Sequence, residues 1–106
     1  MSYRFMRVIV FFDLPMESTQ ERREYGRFRK YLLKSGFLKL QKSVYSKLML
    51  NATASSAIME NVRKNKPAAG LVQMLTITEK QFARMEFVLG QSTSNQLDST
   101  ERLVVL

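Results

Sequence analysis

The stretch that decides the fold lies near the N-terminus, where residues 5–15 read Phe-Met-Arg-Val-Ile-Val-Phe-Phe-Asp-Leu-Pro. β-Branched and aromatic residues fill the run from Phe5 to Phe12, which predicts a β-strand. Successive side chains of a strand point to opposite faces, and both faces here are apolar in the middle, so both must be covered. Asp13 ends the run and Pro15 forces a turn after it. A carboxylate at this end of a buried strand is a common position for a functional group.

Composition narrows the chemistry that is open to the chain. Its 106 residues include 17 Lys and Arg against 9 Asp and Glu, a formal net charge of +8. This excess favours a polyanionic partner, nucleic acid ahead of a membrane surface, although a merely soluble basic protein is the alternative. The chain contains neither Cys nor His, which excludes thiolate catalysis, Cys-based zinc sites and the usual general base. Catalysis or metal binding would therefore rest mainly on carboxylates, and Asp13 is the first candidate.

Length and hydropathy predict a single cytoplasmic domain with no membrane partner. The apolar run before Asp13 is shorter than the ~7–15 residues of a signal-peptide core. No segment approaches the ~18 apolar residues of a membrane span. We expect residues 1–106 to form one domain, with a core at 1–78 and a C-terminal extension at 79–106 that is used in dimer or partner contacts.

Beyond the first strand, the pattern predicts a ferredoxin-like α+β fold. Ser18 and Glu21 form a capping box that opens a helix, which ends near Lys34 before Ser35-Gly36. Further helices are predicted at 51–65 and 78–84, and further strands at 37–41, 43–50, 71–77, 87–89 and 103–106. This order is that of the split βαβ arrangement, an antiparallel sheet with two helices on one face and here a C-terminal strand extension.

The predicted sheet leaves one face without helices. Because its first and fourth strands are apolar on both faces, we expect the open face to meet a second copy in a two-fold homodimer. The strand predicted at 103–106 could pair with a sheet edge of either subunit. The tail from residue 91 to 106 is also our candidate surface for a partner protein, because a tethered apolar strand can add to another sheet.

A basic stripe follows the first predicted helix at positions i, i+4, i+7 and i+11. Its members are Arg23, Arg27, Lys30 and Lys34. One helical turn separates successive charges by ~5–6 Å, so the row can follow a phosphate backbone. A solvated helix face is the alternative, which we favour less because four cations without interleaved acids repel one another. Arg22 and Arg29 flank the stripe and could add contacts or pair with Glu21 or a partner subunit.

Three motifs carry a resemblance to a known family: Phe-Phe-Asp-Leu-Pro at 11–15, Gly36-Phe37 followed by Gln-Lys-Ser-Val-Tyr at 41–45, and Thr-Glu-Lys-Gln-Phe-Ala-Arg at 78–84. With them in this order, the sequence resembles over essentially its whole length the small CRISPR-associated adaptation subunit (Cas-two), the partner of the CRISPR integrase, in its type II-A variant. The resemblance implies a homodimer that sits between two integrase dimers and supports the double-stranded DNA of a captured fragment before its insertion into a CRISPR array.

The resemblance also implies a disputed second activity. Family members are often labelled metal-dependent endonucleases acting on RNA or DNA, with the residue that matches Asp13 placed as a magnesium ligand. One carboxylate per subunit is few for magnesium, but a two-fold axis could bring two Asp13 residues to one shared site. Alternatively, Asp13 caps the turn before Pro15 through its side chain.

Three functional hypotheses follow from the sequence. The leading one is a non-catalytic scaffold that binds duplex DNA independently of sequence, since no signature of base reading is found. The alternative is a magnesium-dependent endonuclease with Asp13 as catalytic residue and metal ligand. A third is an RNA-binding ferredoxin-like module outside CRISPR.

Overall fold

A four-stranded antiparallel sheet forms the centre of the protein, for which the computed structural model describes residues 5–91. The strands lie in the order β2-β3-β1-β4, with β1 in the middle paired to both β3 and β4. The elements are β1 Met6–Asp13, α1 Thr19–Lys34, β2 Leu38–Gln41, β3 Val44–Met49, α2 Ala52–Lys64, β4 Leu71–Thr78 and the short helix α3 Glu79–Phe82. The predicted ferredoxin-like α+β fold is confirmed.

Local sequence signals account for where the helices begin. The Ser18 hydroxyl accepts a hydrogen bond from the Glu21 backbone at 3.1 Å, and the Glu21 carboxylate accepts one from the Ser18 backbone at 3.0 Å. This closes the predicted capping box, and the hydrogen bond from the Ser18 backbone lowers the pKa of the Glu21 carboxyl. At the start of α2, the Asn51 side chain accepts a bond from the Ala54 backbone at 2.8 Å.

The hydrophobic core lies between the sheet and the two long helices. On this side β1 contributes Val8, Val10 and Phe12, all buried. The Phe12 ring packs edge-on against Phe28 of α1, with the ring centroids 5.2 Å apart. This contact fixes α1 across the sheet, so the opposite side of the helix is presented outward.

The opposite face of the sheet is apolar and only partly covered. Ile9 is 5% exposed, whereas Phe11 is 36% exposed, and Leu71 and Leu75 of β4 are about half exposed. The segment after α3 lies over part of this face, because Met85 and Phe87 line a cavity together with Ile9. The predicted homodimer through this face stays a prediction.

The C-terminal half differs from the prediction in two places. The predicted strand at 87–89 is wrong: residues 85–91 are irregular, and Val88 and Leu89 are almost fully exposed. Phe87 lies beside Leu38 and Lys39 of the edge strand β2, but residues 87–89 form no ladder with it, and Gly90 follows them with a φ of +85°. The helix predicted at 78–84 is shorter, with Thr78 as its cap. The strand predicted at 103–106 lies outside the described residues. Within residues 5–91, every helix is too short or too polar to cross a membrane.

Candidate nucleic-acid interface

The basic stripe of α1 lines an open groove against the end of α2. The groove has a volume of about 630 Å³, and it is lined by Arg23, Gly26, Arg27, Arg29, Lys30, Tyr31, Lys34 and Asn65. Packing of Phe28 and Leu32 into the core turns the stripe away from the sheet. The structure thus brings five of the six predicted basic residues to one surface, and Arg22 is the one that does not line it.

Arg27 is a structural member of this groove. Its guanidinium donates to the Glu24 carboxylate at 3.2 Å and to the backbone oxygens of Asn65 at 3.3 Å and Lys66 at 3.2 Å. The interpretation of the stripe as free of interleaved acids is therefore wrong at this point, because Glu24 lies one turn before Arg27. The hydrogen bond from Arg27 lowers the pKa of the Glu24 carboxyl. Arg27 joins α1 to the end of α2 and forms one wall of the groove.

The two flanking arginines have different surroundings. Arg22 donates to the backbone oxygens of Met16 at 3.2 Å and Glu17 at 2.9 Å, which fastens the loop before α1. Arg29 is exposed and lies near the buried hydroxyl of Tyr45. Burial raises the pKa of the Tyr45 hydroxyl, and the positive charge of Arg29 opposes that rise.

Three cations of the stripe keep their charge available to a partner. Arg23, Lys30 and Lys34 are exposed, and in the part of the chain from residue 5 to 91 they take part in none of the ion pairs. They stand at i, i+7 and i+11, on one side of α1 and over about 16 Å of helix axis at ~1.5 Å per residue. An uncompensated row of this length is suited to a run of phosphates.

Asp13 lies outside the basic groove, on the open face of the sheet. It is exposed, it pairs with Leu71 across β1 and β4, and it lines a shallow pocket with Lys42, Ser43 and Gln73. Residues 5–91 contain no group of three or more carboxylates that could hold a metal ion. Among these same residues, the Asp13 side chain accepts no hydrogen bond of the kind that the turn-capping alternative requires.

Two unusual backbone positions surround Asp13 instead. A Cβ added to Gly70, whose φ is +105°, would lie 2.9 Å from the Asp13 backbone oxygen, so only glycine lets the loop before β4 pass this close. Ser43 has a φ of +65°, and its backbone oxygen accepts a bond from Phe12 at 3.0 Å. These contacts fix the turn around Asp13 and leave its carboxylate open to solvent.

Comparison with known proteins decides the family. The model of the family CRISPR associated protein Cas2 matches residues 6–85. The chain belongs to the Cas2 family. Relatives include proteins named CRISPR-associated endoribonuclease Cas2 from Treponema denticola (57% identical, covering 95% of this chain and 100% of the relative), Streptococcus mutans UA159 (46%, covering 95% and 93%) and Ligilactobacillus salivarius (39%, covering 95% and 100%).

Membership of the Cas2 family confirms the resemblance and implies a role in CRISPR adaptation. The matched residues run from β1 to just beyond α3, so they include Asp13 and the whole basic stripe. The hypothesis of an RNA-binding module outside CRISPR is set aside for this reason. The type II-A subtype stays a prediction.

One feature of this Cas2 chain escaped the sequence analysis, an arginine on the open face of the sheet. The Arg7 guanidinium donates to both carboxylate oxygens of Glu79, each at 2.8 Å, and lies 4.3 Å from the centre of the Phe82 ring. Arg7 thereby holds α3 against the sheet. The available signals were a lone arginine in an apolar strand and the glutamate of the motif at 78–84, but their sequence separation of 72 hid the pairing.

Proposed function

We propose that this Cas2 chain acts in the cytoplasm, in CRISPR adaptation, as a dimeric, non-catalytic scaffold. It binds the double-stranded DNA of a captured fragment without reading its sequence, and it bridges CRISPR integrase dimers for insertion into the array. The observation that supports this most is the groove in which Arg23, Lys30 and Lys34 stand exposed and outside the ion pairs of residues 5–91.

The physical basis of the proposed binding is counterion release. Duplex DNA carries one charge per ~1.7 Å of axis, and each phosphate that a protein cation neutralises frees condensed counterions. Lysine and arginine on a helix surface supply such contacts without reading bases. Phe28 and Arg27 attach α1 firmly to the rest of the fold, which keeps the row of cations in place. Binding therefore costs little conformational entropy of the helix backbone.

A homodimer would double this surface. Four partly exposed apolar residues lie together on the open face of the sheet: Phe11, Leu48, Leu71 and Leu75. A contiguous apolar patch of this kind is typical of a protein interface, whereas single scattered apolar residues are not. Two-fold pairing of this face would cover it and leave both α1 helices outward, because α1 packs on the opposite side of the sheet. One duplex could then contact two basic stripes.

The second candidate function is a magnesium-dependent endonuclease with paired Asp13 residues. It is favoured by the word endoribonuclease in the names of the relatives and by the position of Asp13 on the face proposed for dimerisation. Magnesium accepts one or two carboxylates and completes its shell with water, so Asp13 and its two-fold copy would meet that demand. Bound there, the metal would activate water and stabilise charge on the phosphate.

Asp13→Asn separates the two candidates. In a reconstituted reaction with a CRISPR integrase, a duplex fragment and array DNA, we expect the variant to integrate within about twofold of the wild-type chain, because phosphate binding rests on α1. Glu86→Gln, an exposed carboxylate on the irregular segment, is the matched control for the change in charge. Cleavage of single-stranded RNA and duplex DNA with magnesium is measured in parallel. Loss of integration in Asp13→Asn alone, with folding and dimerisation intact, would contradict the scaffold.

A further inference from the structure

The centre of α1 contains a glycine that the fold of the chain does not explain. Gly26 is in the middle of this 16-residue helix, where glycine is the least favourable residue apart from proline. Its φ is not among the positive values, unlike those of Gly36, Gly70 and Gly90. A Cβ built on Gly26 meets no atom within 4 Å outside the local helix backbone, so close packing within residues 5–91 does not require glycine either.

The surroundings of Gly26 suggest another reason for the missing side chain. Gly26 lines the basic groove, with Arg23 one turn before it and Lys30 one turn after it on the same side of α1. Residues three or four apart on a helix have their Cβ atoms ~5–6 Å apart, so the two long cationic side chains can converge over the position between them. Beside it, Arg27 is held by the backbone oxygens of Asn65 and Lys66, which fixes the wall of the groove.

We propose that Gly26 is the point of closest approach between α1 and a DNA strand, a seat for one phosphate between Arg23 and Lys30. Without a Cβ, the helix backbone admits the sugar-phosphate chain to its own surface, and Arg23 and Lys30 reach the strand on either side of that point, each at a phosphate of its own. This inference rests on the proposed function, because it names the place on α1 where the duplex backbone lies.

The inference predicts opposite effects on stability and on binding. Gly26→Ala and Gly26→Leu, made in the full-length chain, are expected to raise the melting temperature by a few degrees, about 4 °C for alanine, because both residues favour helix over glycine. The same changes are expected to raise the Kd for a 30-base-pair duplex, by about threefold for alanine and tenfold or more for leucine, as the side chain lifts the strand away from Arg23 and Lys30. Ser56→Ala is the matched control, since Ser56 is exposed on α2 outside the groove and alanine stabilises that helix as well.

The measurements are thermal unfolding and fluorescence anisotropy of a labelled duplex at fixed salt. A higher melting temperature together with weaker binding for the Gly26 variants, and unchanged binding for Ser56→Ala, supports the seat. If the wild-type chain binds duplex DNA and Gly26→Leu binds equally well, the seat is overturned while the proposed function stands. A lower melting temperature for Gly26→Ala would assign the glycine to the fold and overturn the seat too. If the wild-type chain does not bind duplex DNA, the seat and the proposed function are both overturned.

Discussion

Replacing Arg23, Lys30 and Lys34 together by glutamine is expected to weaken the binding of duplex DNA by about 100-fold near physiological salt. Each of these cations is free to neutralise a phosphate, and three lost contacts per subunit remove most of the counterion release that drives sequence-independent binding. Glutamine removes the charge and has a helix propensity close to that of lysine and arginine, so the fold of α1 is expected to stay intact. Fluorescence anisotropy of a labelled duplex at fixed salt measures the change.

A second triple variant separates the stripe from the overall charge of the chain. Lys39, Lys80 and Arg84 are also exposed but lie outside the groove, so replacing these three by glutamine removes the same charge elsewhere. We expect that control to change the Kd by about threefold or less, through long-range electrostatics alone. Equal weakening by both triple variants would show that net charge, and no defined surface of α1, attracts the DNA.

The Glu79→Ala variant is expected to lower the free energy of unfolding by about 2 kcal/mol, between the cost of breaking a surface ion pair and a buried one. Glu79 is the carboxylate partner of Arg7, whose side chain is 15% exposed on an apolar face. Removal of the Glu79 carboxylate therefore leaves a largely buried guanidinium unpaired. Replacing Arg7 by methionine in the same chain is expected to restore part of the loss, since an apolar side chain needs no partner there.

Urea unfolding at one fixed protein concentration measures this effect, because dimerisation would make the stability depend on concentration. Glu60→Ala is the matched control: it breaks the Glu60–Arg63 pair, in which both side chains are more than half exposed, and should cost less than about 1 kcal/mol. A loss for Glu79→Ala no larger than that of the control would mean that Arg7 does not hold α3 through this ion pair.

Much of the fold was predictable because its signals are local. The apolar run before Asp13 predicts β1, and the pair Ser18 and Glu21 predicts the first turn of α1 to the residue. Alternation and capping depend on neighbours within about four residues, which a sequence displays directly. The strand predicted at 87–89 failed because a strand also needs a partner edge, and the sequence does not show whether one is within reach.

The candidate site was predictable in its charges and not in its pairings. Helical spacing placed Arg23, Lys30 and Lys34 on one side of α1, and the structure confirms that they share a groove. Helical spacing does not reveal that Arg27 is held by backbone oxygens 38 and 39 residues away, because that contact depends on how α2 ends beside α1. For Asp13, the sequence shows only its position at the end of the first strand. Whether a second Asp13 approaches it is a property of the proposed dimer.

The salt dependence of duplex binding by the full-length wild-type chain tests the proposed scaffold most directly. With the three cations Arg23, Lys30 and Lys34 of each subunit on phosphates and two subunits on one duplex, the plot of log K against log salt concentration should fall with a slope of about −5, at ~0.9 per phosphate contact. Duplexes of unrelated sequence should give the same line, because no base is read. A slope near zero, or an affinity that depends on the sequence of the duplex, would contradict a scaffold that holds DNA by its phosphates.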